Sequence, residues 1–150
     1  MFQSERLSVS HGFDLPCPAA NCADLFTAKG ELAWIPAWTP TFVYPPSGAT
    51  ERGMVFTAEL DGIVTVWTMT AHEPENGRVA YLRVTPGLRV VELTVSWRPA
   101  GADACRIEAH YVLTGLSEAG NTANRDYAAG FATMIDGWRD WLVGYFAKMA

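Results

Sequence analysis

The last thirty residues carry one long predicted helix, and its apolar stripe is so aromatic that it needs a large, curved partner. Tyr127, Phe131, Met134, Ile135, Trp138, Trp141, Leu142, Tyr145 and Met149 fall on one face at helical periodicity. Arg125, Asp126, Thr133, Asp136 and Asp140 fall on the other. Nearly everything before this segment alternates with period two, so the partner to expect is a sheet.

Leu7, Val9, His11 and Phe13 share one face of a first strand, which Pro16 and Pro18 end. Ala19 to Ala28 reads as a short helix, Gly30 interrupts it, and Glu31 to Ile35 reads as a further helical turn before Pro36. Phe42 and Tyr44 share a face of a short strand closed by Pro45 and Pro46. Gly53 to Leu60 meets Ile63 to His72 across Asp61-Gly62, a strong hairpin signal. Asn76-Gly77 marks another turn. Val79 to Thr85 meets Leu88 to Trp97 across Pro86-Gly87. Pro99 to Asp103 is a loop, and Cys105 to Thr114 is the last strand. Consecutive hairpins predict an antiparallel meander, and the terminal helix laid on it makes a single α+β domain spanning residues 1–150.

Composition narrows the function. A chain of this length buries about two-thirds of its unfolded surface as one domain. Hydrophobic residues are 49% and charged residues only 18%, with a formal charge of -5. Two of the eleven basic residues are lysines, Lys29 and Lys148, and none cluster, which argues against nucleic acid and against anionic membrane. No apolar run is long enough for a membrane span, and Met1 to Val9 lacks the apolar core of a signal peptide. Cys17, Cys22 and Cys105 are odd in number and read as reduced thiols of a cytoplasmic protein, although a Cys17–Cys22 bridge is conceivable.

The order of elements resembles the helix-grip fold of the START-like, or SRPBCC, superfamily, which includes bacterial polyketide cyclases, birch-pollen-type allergens and lipid-transfer domains. The resemblance covers essentially the whole chain. Trp34-Ile35-Pro36-Ala37-Trp38 is similar to the tryptophan-bearing segment after the short helices, and Tyr81-Leu82-Arg83-Val84-Thr85-Pro86-Gly87 is similar to a hairpin of uncharacterised bacterial members. It implies a sheet of about seven strands curled around the C-terminal helix, with an elongated apolar cavity between them. Members use that cavity for lipids, sterols, hormones or polyketide intermediates; others are adaptors with no small ligand.

Trp34 and Trp38 are candidates for the cavity entrance, and Phe42, Tyr44, Phe56, Trp67, Leu93 and Tyr111 for its walls. Phe131, Ile135 and Trp138 would close it from the helix. Each serves equally well in a packed core. Gly130, Gly137 and Gly144 recur every seven residues on the helix flank, as though a strand or another subunit approached closely there.

For catalysis, His11 is the best internal candidate, with Tyr111 as a second proton relay; His110 and His72 read as surface residues. Assuming a tight Pro86-Gly87 turn, Ala80, Leu82, Val84, Val91, Leu93 and Val95 face the helix. Arg83 and Glu92 then pair on the outer face; a one-residue shift would carry both inside. No glycine-rich phosphate loop, nucleophile elbow or metal-ligand spacing is present, so no cofactor or metal is expected. The expected partner is a small apolar or aromatic ligand, lipid- or polyketide-like, bound by a monomer or homodimer. Alternatives are a polyketide cyclase or dehydratase, and a protein-interaction adaptor.

Overall fold

A computed structural model describes residues 1–149. Seven strands form one antiparallel sheet: β1 (Arg6–Leu15), β2 (Thr41–Tyr44), β3 (Val55–Leu60), β4 (Ile63–Glu73), β5 (Arg78–Thr85), β6 (Arg89–Pro99) and β7 (Cys105–Gly115). Their order is β1-β7-β6-β5-β4-β3-β2, the expected meander with the first strand returned to the far edge. Two helices follow, α1 (Glu118–Ala129) and α2 (Phe131–Met149). Asp61 and Gly62 take φ of 52° and 80° between β3 and β4, as a two-residue hairpin turn requires. Register shifts between Met69 and Ala71 and between Phe42 and Tyr44 mark irregularities that bend the sheet.

The terminal helix is not continuous. Gly130 (φ −96°, ψ 3°) divides it, so α1 lies mainly on β7 and α2 mainly on β1. Ser117 caps α1, its hydroxyl accepting from the Gly120 amide at 3.0 Å. Phe131, Ile135 and Leu142 are buried, whereas Trp141 and Met149 at the stripe's edge are exposed. No strand approaches the glycine flank. A Cβ added at Gly137 or Gly144 meets nothing within 4 Å, and one at Gly130 meets only the Asp126 carbonyl at 3.8 Å. Gly137→Ala is therefore expected to stabilise the chain by about 1 kcal/mol, read as a higher urea midpoint. A lower midpoint, or a change of oligomeric state, would bring back a close contact with another subunit.

Residues 19–28 do not form the expected helix. Only Ala19–Cys22 and Gly30–Ala33 coil, both as single tight 3-10 turns. Side chains from elsewhere take the carbonyls between them. Trp34 Nε1 donates to Leu25 at 2.7 Å, Trp38 Nε1 to Ala28 at 2.9 Å and the Tyr81 hydroxyl to Phe26 at 2.8 Å. These bonds satisfy the carbonyls at the segment's end and fasten it as a loop.

The β5–β6 hairpin overturns the expected facing. Thr85 pairs with Arg89, Arg83 with Val91 and Leu82 with Glu92, so the loop holds three residues, Pro86, Gly87 and Leu88. The odd count moves every β5 side chain to the other face relative to a two-residue turn. Tyr81 and Arg83 point inward with Val91, Leu93 and Val95, whereas Leu82 joins Glu92 outside. Glu92 pairs with Arg6 at 2.9 Å on that outer face, not with Arg83.

Candidate functional site

Two cross-strand rows build the concave face. Phe56, Trp67, Arg83 and Val91 lie side by side on β3 to β6, and Met69, Tyr81, Leu93 and Tyr111 on β4 to β7. The rings interlock: Phe56 stacks on Trp67 at 5.4 Å, and Trp38 meets both edge-on at 6.0 and 5.8 Å. On the helix side, Tyr111 stacks against Tyr127 at 6.2 Å and meets Phe131 at 4.9 Å.

Between these groups the interior is hollow. An inner chamber of about 170 Å³ is walled by Trp38, Phe56, Trp67, Tyr81, Leu93, Tyr111 and Trp138, among others. An outer chamber of about 260 Å³ adjoins it and shares Trp38, Trp67, Arg83 and Tyr127. A larger hollow of about 360 Å³ lies between residues 19–23 and 97–99, but it is an open surface cleft. The two chambers are partly open but more enclosed than that cleft, and their position between sheet and helix, not their size, marks them as the candidate binding site.

Glu31 is the chemical feature of the inner chamber. The second 3-10 turn delivers it to the wall, and among the described residues its carboxyl has no hydrogen-bond partner. Glu31 is half-buried. Burial therefore pushes its pKa up to about 8, leaving the acid largely protonated at neutral pH. Tyr81 and Tyr111 are both pushed well above the ordinary phenol value, chiefly by burial. Glu31 adds to both shifts, and Tyr127 raises Tyr111 while Arg83 opposes the rise. Tyr81 spends its hydroxyl on Phe26. Tyr111 makes no hydrogen bond among the described residues, so the chamber holds an unengaged phenol beside a neutral acid.

Arg83 stands where the chambers join. Its guanidinium carbon lies 5.1 Å from the Trp67 ring centre and 5.6 Å from those of Tyr111 and Tyr127. It donates to the Tyr127 hydroxyl at 3.1 Å. Trp67 Nε1 is buried with no hydrogen-bond partner among the described residues.

The three cysteines converge elsewhere. Cys22 Sγ lies 3.2 Å and Cys17 Sγ 3.8 Å from Cys105 Sγ, all buried and unbridged. Sequence spacing missed this grouping, because β7 supplies the third thiol. Its donor set suits a soft metal. Burial and Cys105 push the Cys17 thiol up to about 11 and raise Cys22 further, so a metal would have to displace tightly held protons.

No protein-family model matches the chain, and no curated protein matches it in sequence. Solved structures do match. A point mutant of norcoclaurine synthase from Thalictrum flavum, in complex with a transition-state analogue, has a TM-score of 0.72 at 12% identity over 100% of both chains. A hypothetical protein from Helicobacter pylori gives 0.73 at 16% identity, over 93% of this chain and 87% of that one. Ara h 8.0201 gives 0.63 at 15% identity, over 90% and 98%. The chain has the START/Bet v1-like helix-grip fold. At these identities the likeness carries the architecture, and activity must be argued from the residues.

Within this helix-grip frame, Trp38, Phe56, Trp67, Leu93, Tyr111 and Trp138 line the inner chamber. Trp34, Phe131 and Ile135 are buried behind it. Phe42 packs edge-on against Phe56 outside the wall, and Tyr44 is exposed on the surface. His11, the expected internal base, is not on either chamber wall. It joins Asp136 at 2.8 Å and ties β1 to α2, so Asp136 is not free on the solvent face either. His110 meets Ser8 at 2.7 Å on the exposed face. No helix among the described residues is long and apolar enough to cross a membrane.

Proposed function

We propose that the protein binds a small apolar or aromatic molecule, lipid- or polyketide-like, in the partly enclosed hollow between sheet and helix. The observation that carries this reading is the inner chamber itself: about 170 Å³, walled by aromatic rings, with one neutral acid and one unengaged phenol. An apolar cavity of about 150 Å³ holds a benzene-sized ring, so the chamber matches one ring of a ligand. Trp38, Phe56, Trp67, Leu93, Tyr111 and Trp138 would make the apolar contacts. Trp34, Phe131 and Ile135 would hold those walls in position. Norcoclaurine synthase has been solved with dopamine and hydroxybenzaldehyde, two ring-sized aromatics, which supports the choice of ligand class for this fold. The unbridged thiols favour a reducing, cytoplasmic setting.

Glu31 favours a second reading, an enzyme of the cyclase or dehydratase type. A carboxyl with a pKa near 8 is suited to give and retake a proton near neutral pH. In this reading Glu31 takes the role that sequence reasoning gave to His11, with Tyr111 beside it.

Native mass spectrometry of gently purified protein, followed by a thermal-shift screen of neutral ring-sized aromatics, tests the primary reading. A retained small molecule, or a shift in wild type that Leu93→Trp abolishes by filling the chamber, is the expected result. No retained molecule, and no binding by neutral aromatics or by aromatic acids, would reject it.

A further inference from the structure

We propose that the outer chamber is a carboxylate-binding mouth, so that the ligand is a ring-sized aromatic or apolar carboxylic acid entering ring first. This rests on the ligand-binding reading above and adds the chemistry of the headgroup. Arg83 and Arg89 both line the outer chamber. The three-residue hairpin loop brings this about, since Thr85 pairs with Arg89 and puts both arginines on the concave side. Arg89 also lies over Tyr127, its guanidinium carbon 5.0 Å from the ring centre. The two cations thus flank one tyrosine.

Neither cation has an anionic partner. Arg6, Arg78, Arg106, Arg125 and Arg139 each form an ion pair with a carboxylate, but Arg83 and Arg89 form none among the described residues. Their hydrogen bonds go to neutral groups, Arg83 to Tyr127 and Arg89 to Asn124 Oδ1 at 3.3 Å. Glu59 also lines the chamber, but it is exposed and within ion-pairing distance of neither arginine. Burial, reinforced by Arg83 and partly offset by Tyr127, lowers the Arg89 pKa, the response of a half-buried cation with a second cation near it.

Two half-buried guanidiniums on one chamber wall, both against Tyr127, are costly unless an anion joins them. They suit a carboxylate because each presents a planar fork of donors. The Thr65 and Thr85 hydroxyls, 2.9 Å apart, add neutral polar groups to the same chamber. With the acid group there, the ring would reach the inner chamber, where Glu31 and Tyr111 can meet a polar substituent.

The test uses matched acids and primary amides of one carbon skeleton: phenylacetate, 3-phenylpropionate and indole-3-acetate with their amides, titrated into the full chain by calorimetry. At least one acid is expected to bind roughly tenfold or more tighter than its amide, the worth of a charge-assisted hydrogen-bond pair. Arg83→Met with Arg89→Met should erase that difference, and Arg52→Met, an exposed arginine outside the chambers, should keep it. The acid-to-amide comparison in wild type needs no variant to fold. Amides or other neutral aromatics binding as tightly as acids would overturn the headgroup assignment and leave the cavity reading standing. If nothing in either set or the neutral screen binds, the cavity reading fails and this inference fails with it.

Discussion

Glu31→Gln is expected to stabilise the protein, by little at pH 5 and on the order of a few kcal/mol at pH 9. The folded chain holds this proton until about pH 8, whereas an unfolded chain releases it near the ordinary value of 4.5. Between those values folding takes up a proton, so stability falls as pH rises. The contribution is complete below 4.5 and gone once the pH has passed 8. Glutamine keeps the shape and never ionises, so its stability should not carry that slope. Urea midpoints of both proteins at pH 5, 7 and 9 measure the difference. Parallel curves would mean that the carboxyl ionises freely, and the neutral acid in the chamber would be lost as a premise.

The two polar ends of the hollow do different work. At the inner end a protonated carboxyl carries no charge and keeps its O–H free to donate, so it can sit among aromatic rings without the cost of a buried anion. At the outer end Arg83 and Arg89 line the chamber together with the exposed Leu60 and Glu59. On the ligand-binding reading proposed above, an elongated ligand with an apolar body would be oriented by chemistry as well as by shape. Catalysis needs the same orientation, since a proton donor helps only when the reacting atom is held beside it.

Most of the fold was legible in the sequence, because turn chemistry punctuates it. Asp61-Gly62, Asn76-Gly77 and Pro86-Gly87 divide the alternating runs, and the strands follow to within a few residues. The aromatic periodicity after residue 120 gave the helix, though not its break at Gly130. The segment 19–28 failed because its outcome depends on side-chain donors outside it, two from the turn that follows and one from β5. Alanine-rich composition favours a helix, but no local pattern reports that the Trp34, Trp38 and Tyr81 side chains will take its carbonyls.

The site was less legible, for one physical reason. Apolar counting put Ala80, Leu82 and Val84 inside because they outnumber Tyr81 and Arg83 in hydrophobicity. That rule assumes an interior built to be filled. A hollow relaxes it, since polar groups such as Arg83 can then stand on the concave side. One extra loop residue, Leu88, decides the register, and Thr85 pairing with Arg89 is its visible consequence. Glu31 did leave a trace that was not used. It is the lone charge from Gly30 to Thr50, set in a run rich in tryptophan and proline. The histidines drew attention by their pKa, but His11 serves a strand-to-helix tie.

Trp34→Ala should cost about 3–5 kcal/mol, whereas Trp141→Ala should cost about 1 kcal/mol or less. Both residues are tryptophans of the apolar pattern, yet their settings differ. Trp34 is 5% exposed and Trp141 42% exposed. The Trp34 ring meets Phe26 edge-on at 5.8 Å and Trp138 at 6.1 Å, so it joins the fastened loop to α2. Its removal opens a void and leaves the Leu25 carbonyl without its donor, two penalties that add. Because Glu31 follows directly on that loop, the damage should reach the site. Amide hydrogen exchange should quicken across residues 24–31, and the pH slope traced to Glu31 should flatten as water reaches the carboxyl. Equal losses for the two variants, with exchange unchanged across the loop, would mean that the loop holds its acid in place without this tryptophan.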